Sequence, residues 1–443
     1  MSEPTRREAL KGAAAIAMPL IVPASALGKD GPAPSNRIAL GAIGVNGMGL
    51  ANLNACGSQP DVTVVGLCDV NRNRLAAAAK RYEATAKTHR DWRELIARTD
   101  VDALTIATPP HWHTLMAIEA AKAGKHIYLQ KPMTLYPAES LAVRNAVRKH
   151  KIVAQVGTQI HAGANYRRCV EWVRSGKLGK ISVVRTFNVM NQGPDGIGRA
   201  PVQEPPAHLD WEMWLGPGPK IPYNSILEAN SFNHCWFQQF TGGWTPGMAP
   251  HILDLPVWAL ELGLPETTFC AGQSVVTTDD GDAPDSQEVT WRYPNCTLTW
   301  SMSTVNSFAW DFGRGTPARR IGIYFHGVNG TLIADYGRCE IVPEGKFLAD
   351  ATAPPATIPP SPGHEREWLN CIKSGEKPSC HPDYHHKVDL PICLANLSYR
   401  LGRAIQFDPK TEQIVGDEEA RKLAVPVYRE PWRFPVEYLT MAG

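Results

Sequence analysis

Three features of the 443-residue chain predict a two-domain α/β protein: strand-like and helix-like segments alternate up to residue 157, a glycine-rich turn opens that run, and β-rich segments dominate after Ile181. Alternation of this kind means crossovers over a parallel sheet. The apolar stretches Val62 to Leu67, Ala103 to Ala107, Ile127 to Leu129 and Val153 to Val156 read as its strands. Helical Arg72 to Tyr82, Trp92 to Arg98, Thr114 to Ala123 and Glu139 to His150 make the connections, and Tyr166 to Ser175 is a further helix ended by Gly176. Past Ile181 the style changes. A long irregular stretch, Asn188 to Tyr223, precedes the β-rich segments Glu288 to Tyr293, Thr297 to Met302 and Ile321 to Phe325. They predict a C-terminal α+β domain on a large, mostly antiparallel open sheet, its outer face free to pack against a partner.

The opening turn is specific. Arg37-Ile-Ala-Leu-Gly-Ala-Ile-Gly-Val-Asn-Gly-Met-Gly49 reads as strand, glycine turn and helix, and Asp69 ends Val-Val-Gly-Leu-Cys-Asp twenty residues later. This is the pattern of an N-terminal Rossmann dinucleotide-binding domain, assigned here to 37–157. Gly44, Asn46, Gly47, Met48 and Gly49 let the backbone approach a pyrophosphate at the helix N-terminus, and Asp69 takes the adenosine ribose hydroxyls. Asn46 stands where the second glycine is expected; asparagine tolerates left-handed backbone, provided its side chain turns away from the phosphates. The acid at 69 repels a 2′-phosphate and so favours NAD, while Arg72 keeps NADP possible.

Net charge +2 with no basic cluster gives no footprint for nucleic acid, and no apolar run of eighteen residues follows the leader. That leader, 1–26, is a near match to a twin-arginine signal: Thr5-Arg6-Arg7-Glu8-Ala9-Leu10-Lys11, the apolar run Gly12 to Val22, and Ala24-Ser25-Ala26 as a cleavage site. It predicts a periplasmic protein, with a cytoplasmic one bearing a basic amphipathic N-terminus as the alternative; 27–36 is a linker. The twin-arginine route carries folded proteins into a compartment with little free dinucleotide. A dinucleotide enzyme sent there should keep its cofactor bound and regenerate it within each cycle. The ten cysteines have neither zinc-site nor disulfide-scaffold spacing. Cys68 and Cys393 read as buried hydrophobes, while Cys371 and Cys380 could bridge in an oxidising compartment.

Chemistry-bearing residues fall at the carboxyl ends of parallel strands, where open α/β sheets bind ligands: Thr108-Pro-Pro-His-Trp-His113 after one strand and Gln130-Lys131-Pro132 after the next. With Val156-Gly-Thr-Gln159, Arg174-Ser-Gly-Lys-Leu-Gly-Lys180, Leu209-Asp-Trp-Glu-Met-Trp-Leu-Gly-Pro-Gly-Pro219, Gly242-Gly-Trp to His251-Ile-Leu-Asp254, and Leu397-Ser-Tyr-Arg-Leu-Gly-Arg403, the order resembles the Gfo/Idh/MocA oxidoreductase family over almost everything after the leader. The resemblance implies that Lys131 lies near the nicotinamide and that His251 completes a site for oxidising a sugar or cyclitol alcohol. It makes Thr108, Pro109, Trp112, His113, Gln130, Lys131 and Gln159 cofactor contacts, and it favours cofactor support over zinc for His111-Trp112-His113; no metal is assigned. Two family residues differ: the glutamate before the lysine is Gln130, and the aspartate four residues before the histidine is Gly247.

Moving a hydride from a carbinol carbon requires removal of the hydroxyl proton as the carbonyl develops. A histidine titrates in the range to take it, and a nearby ammonium favours the oxygen's developing charge. His251 is therefore read as the base, Lys131 as the hydrogen-bonding, proton-sharing group, and Asp254, one turn after His251, as the replacement for the missing carboxylate. His381, His385 and His386 read as surface or cap residues; Trp211, Trp214, Trp236 and Trp244 read as core or as faces for a sugar ring. The leading expectation is an exported oxidoreductase acting on a small carbohydrate or cyclitol. A redox-neutral glycoside lyase or hydrolase working through a transient keto-sugar is second, and a binding protein without turnover is third. The second domain is drawn as 158–403, followed by a C-terminal arm, 404–443, that could wrap a neighbour in a homodimer or homotetramer.

Overall fold

The computed structural model describes residues 36–307, 310 and 320–440, so the predicted leader lies outside the described residues. Six strands, β1 (Ile38–Ile43), β2 (Val62–Cys68), β3 (Lys87–His89), β4 (Ala103–Ile106), β5 (His126–Gln130) and β6 (Ala154–Gly157), form one parallel sheet in the order β3-β2-β1-β4-β5-β6. Helices cover both faces, so the inner strands are largely apolar, with Leu40, Ala42, Leu104 and Val156 fully buried. Order reverses between β1 and β4, and the loops leaving β1, β2, β4 and β5 open on one edge. Sequence reading misses β3: it is a three-residue edge strand, Lys-Thr-His, without an apolar face.

The second sheet has nine strands: β7 (Ile181–Val189), β8 (Thr267–Gln273), β9 (Ser286–Arg292), β10 (Thr297–Ser303), β11 (Ile321–Gly327), β12 (Gly330–Ala334), β13 (Cys339–Pro343), β14 (Ile405–Asp408) and β15 (Gln413–Ile414). Their order is β13-β12-β11-β7-β10-β9-β8-β14-β15, antiparallel except between β7 and β10. Alternation sorts the faces. Val289 and Trp291 point inward while Glu288, Thr290 and Arg292 face out. The inner face packs on the helices Ala164–Arg174, Trp244–Ala259 and Pro382–Leu401. Two indoles fix that packing, Trp291 donating to the Pro391 carbonyl at 2.8 Å and Trp300 to Thr245 Oγ1 at 3.0 Å.

One expectation about the last eighty residues is corrected. The helix His364–Ser374 belongs to the first domain's core, where Trp368 and Leu369 pack with Leu40, Val64 and Tyr128. The C-terminal arm packs along its own chain. β14 joins the second sheet, and Trp432 stacks edge-on to Trp112 with ring centroids 4.8 Å apart. Tyr428 donates to the Glu139 carboxylate at 2.5 Å, and Asn145 Nδ2 to the Tyr438 carbonyl at 2.8 Å. The arm's aromatic residues complete an apolar surface that helix Pro137–His150 would otherwise expose.

Candidate active site

The strand-end loops of the first sheet and residues 209–247 of the second domain enclose an elongated cleft of about 1220 Å³ of empty space, its mouth included. At one end lies the glycine turn. Gly44 and Gly47 have positive φ, 79° and 53°, whereas Asn46 does not, so the asparagine needs no left-handed backbone at that position. A Cβ on Gly49 would sit 2.1 Å from the Gly44 carbonyl oxygen, and one on Gly44 would sit 2.6 Å from that of Ala107. Only glycine allows helix Met48–Gly57 to start this close to β1 and β4. No side chain caps that N-terminus, which leaves its field directed into the cleft.

Asp69, at the tip of β2, accepts from Val45 N at 3.0 Å and Asn71 N at 2.9 Å, which aims the carboxylate at the cleft. Burial pushes its pKa up against those two bonds. The second domain closes over this end through Glu228, which takes Asn71 Nδ2 and His208 Nε2, each at 2.7 Å, and Tyr223 OH at 2.5 Å. Two carboxylates beside the ribose position oppose a 2′-phosphate. Arg72 is exposed and does not line the cleft, whereas Arg74 lines it with its guanidinium bonded to the Glu228 carbonyl.

The other end is built around Lys131. Its Nζ donates to the Gly247 carbonyl at 2.6 Å, and burial lowers its pKa. Gly247 and His251 are four residues apart in helix Trp244–Ala259, hence on one face, which brings the imidazole to the same region. His251 is part-buried, its Nδ1 lacks a partner, and its pKa is driven well below the ordinary value by burial first and the Lys131 charge second. Tyr166 OH anchors the His251 carbonyl at 2.9 Å. Gln130 uses Oε1 to accept from Lys131 N at 2.7 Å, while its buried Nε2 has no partner within the protein. Such a donor suits a ligand carbonyl in the cleft.

Several predicted site residues play other parts. Thr108, Pro109 and Trp112 line the cleft, but His113 does not: it is fully buried, its ring nitrogens 2.7 Å from the Pro132 carbonyl and 2.9 Å from that of Thr108. It braces the two strand-end loops. Gln159 is also withdrawn, donating to Asn52 Oδ1 at 3.3 Å behind the glycine-turn helix. Asp254 does not serve His251; its carboxylate meets His161 Nδ1 at 3.0 Å and Tyr384 OH at 2.7 Å. His381, His385 and His386 are buried, not surface residues, and His381 caps helix Pro382–Leu401 as expected, its Nδ1 accepting from Asp383 N at 3.1 Å.

Two residues that sequence reasoning missed are His234 and Cys235, which line the cleft beside Lys131. A Cβ on Gly247 would already lie 3.2 Å from Cys235 Sγ, so the thiol fills the space an aspartate side chain at 247 would need. Burial raises the Cys235 pKa to about 11, outweighing the Lys131 charge; burial, with His111 and Lys131 adding, lowers that of His234 to about 3. His234 Nδ1 pairs with Thr241 Oγ1 at 2.5 Å. The adjacent His-Cys pair was the available signal, but it sits in a short 3₁₀ turn, Asn233–Trp236, without periodicity.

Residues 38–158 match the NAD-binding Rossmann fold of the Gfo/Idh/MocA oxidoreductase family, and 180–434 match that family's C-terminal alpha/beta domain. The chain belongs to this family. Among curated relatives, levoglucosan dehydrogenase of Pseudarthrobacter phenanthrenivorans is 36% identical over 121 residues, 26% of this chain and 29% of that protein. Myo-inositol 2-dehydrogenase of Thermotoga maritima is 26% identical over 146 residues, 33% and 43% of the two chains. The chain thus spans less than half the length of either relative in these matches. Among solved structures, the WlbA dehydrogenase of Bordetella pertussis in complex with NADH and UDP-GlcNAcA superposes with a TM-score of 0.63 at 18% identity, covering 84% of this chain and 99% of that one. NAD is the family's dinucleotide, and the glycine cradle, Asp69 and the unpartnered Gln130 Nε2 fit it.

Proposed function

We propose that the protein oxidises a ring hydroxyl of a small sugar or cyclitol, with Lys131 and His251 handling the proton. The observation that carries this reading is the Lys131 ammonium, set at the end of β5 inside the dinucleotide cleft and held by the Gly247 carbonyl of the second domain. When bound, NAD supplies the hydride acceptor. Lys131 presents a positive hydrogen-bond donor to the hydroxyl oxygen and favours the charge that builds there as the proton leaves. His251, neutral because burial and the Lys131 charge disfavour its cation, keeps an Nδ1 without a protein partner, and its role as the base rests on that free atom. Trp112 and Met213 supply apolar walls against which a ring can lie, and closure of the second domain keeps water from the reacting carbon.

The proposal extends to export and retention. The leader 1–26 supports the twin-arginine route into the periplasm, and the cover formed by Glu228 and its neighbours supports slow release of the nucleotide, recycled by a second substrate. The open face of the second sheet, with Phe269 44% exposed, supports association as a homodimer or homotetramer. A redox-neutral cleavage of glycosides through a transient keto-sugar is the second reading, and the one observation that favours it is a second imidazole, His234, lining the cleft beside Lys131. Denaturing the purified protein and assaying the supernatant for nucleotide tests retention, and an empty supernatant refutes it. Reduced-cofactor absorbance with free sugars and cyclitols supports oxidation, aglycone release from aryl glycosides supports cleavage, and silence with both overturns the catalytic reading.

A further inference from the structure

Outside the cleft, three metal-ligand side chains of different type meet in the interior. His161 comes from the 3₁₀ turn after β6, Asp254 from helix Trp244–Ala259, and Cys380 from the loop just before helix Pro382–Leu401. They are 3%, 0% and 0% exposed, and one donor atom from each lies within 4.8 Å of the other two. Both Asp254 oxygens stand 3.0 Å from His161 Nδ1, and Tyr384 OH is 2.7 Å from Oδ1. The fully buried His385 neighbours them, its Nε2 on Thr158 Oγ1 at 2.9 Å and its Nδ1 without a partner.

We propose that His161, Asp254 and Cys380 bind one divalent metal ion of the zinc class, bracing the second domain's central helix against the end of β6. The donor set argues for the ion. Calcium and magnesium take oxygen ligands, whereas imidazole, carboxylate and thiolate together suit a borderline-soft tetrahedral cation. A neutral imidazole, a carboxylate and a thiolate sum to two negative charges, which a divalent ion neutralises where water is excluded. Metal–ligand bonds of about 2.0–2.3 Å set neighbouring donors roughly 3.3–3.8 Å apart, and the three donors already lie within 4.8 Å of one another. On loading, the entering cation takes the Cys380 sulfur lone pair and the thiol proton leaves to solvent. Tyr384 or a water completes the tetrahedron. His161 also lines a surface recess with Trp258 and Tyr384, which provides the way in. His161 and Asp254 lie 93 residues apart in sequence, which explains why no motif spacing reveals the site.

The full-length protein, stripped with a chelator, is titrated with cobalt(II) as the spectroscopic stand-in. The expected result is saturation at one equivalent with a thiolate-to-cobalt charge-transfer band, reversal on adding zinc, and a raised thermal midpoint. Cys380→Ser is expected to remove the band and weaken zinc binding tenfold or more, whereas Cys393→Ser, which alters a different buried cysteine, retains both. Absence of a thiolate band in the wild-type protein, or its survival in Cys380→Ser, overturns the proposal and leaves a hydrogen-bonded trio. The wild-type titration decides the question even if a variant fails to fold.

Discussion

At the adenosine end of the cleft, the glycine turn and Asp69 come from one strand-helix-strand unit and Arg74 from the helix that follows it, Arg72–Ala79, with Glu228 closing over them from the second domain. At the Lys131 end, six residues converge from distant parts of the chain: Gln130, Lys131, His234, Cys235 and Gly247 line the cleft, and His251 lies close enough to feel the Lys131 charge. The first end is fixed by backbone geometry, which tolerates almost no change. The second is fixed by side chains that can substitute for one another, as Cys235 does in the space beside Gly247. Local construction therefore preserves what is held, and convergent construction leaves room to vary what is done with it.

The largest expected effect breaks the chemical end alone. Lys131→Met should lower hydride transfer about a thousandfold while nucleotide affinity changes little, read by single-turnover absorbance and calorimetry. Gly49→Ala should do the reverse: its Cβ meets the Gly44 carbonyl, so nucleotide binding falls roughly a hundredfold, with a stability loss of about 2 kcal/mol in the same titration series. If both variants lose binding equally, the two ends are not separable.

The pH profile sharpens the comparison. His251 is depressed and stays neutral on both sides of pH 6.5, so no acid limb should appear near that value. Lys131 is also depressed, and its ammonium is the active form, so the rate should fall as pH rises through a value below 10.5. A sigmoidal loss near pH 6.5 would remove His251 as the base.

Two smaller effects concern the scaffold behind each end. Asp61, whose pKa is lowered because Arg366 and Lys373 together outweigh burial, ties the first domain to helix His364–Ser374. Its contribution is present above the unfolded value of 3.8 and lost as pH falls below it; Arg366→Ala should cost about 2 kcal/mol at neutral pH and less in acid, by denaturant unfolding. Glu139 shows the opposite sign. Burial raises it to about 7 from 4.5, so the folded state holds a proton the unfolded state has released, and stability declines as pH rises between those values. Glu139→Gln should flatten that slope.

What the sequence disclosed follows the same division. The parallel sheet, the glycine turn and the place of Lys131 were legible because each depends on neighbours within a few dozen residues. The partner of Asp254 was not: helical spacing placed it one turn from His251, yet its carboxylate turns to His161 and Tyr384, a choice made by tertiary packing. His113 and Gln159 lie on the expected loops but point away from the cleft, because sequence position fixes a Cα and not a rotamer. The fold-back of the arm depended on aromatic contacts with helix Pro137–His150, nearly three hundred residues distant, as the Tyr428–Glu139 separation of 289 shows.

The central claim is that the Lys131 ammonium faces a nicotinamide and a sugar or cyclitol hydroxyl at once. Single-turnover reduction of bound NAD by a panel of cyclic polyols, in wild-type protein and in Lys131→Met with nucleotide occupancy matched, tests it most directly. The account predicts reduction by at least one polyol in the wild type and about a thousandfold slower reduction in the variant. Equal rates in the two proteins would contradict it.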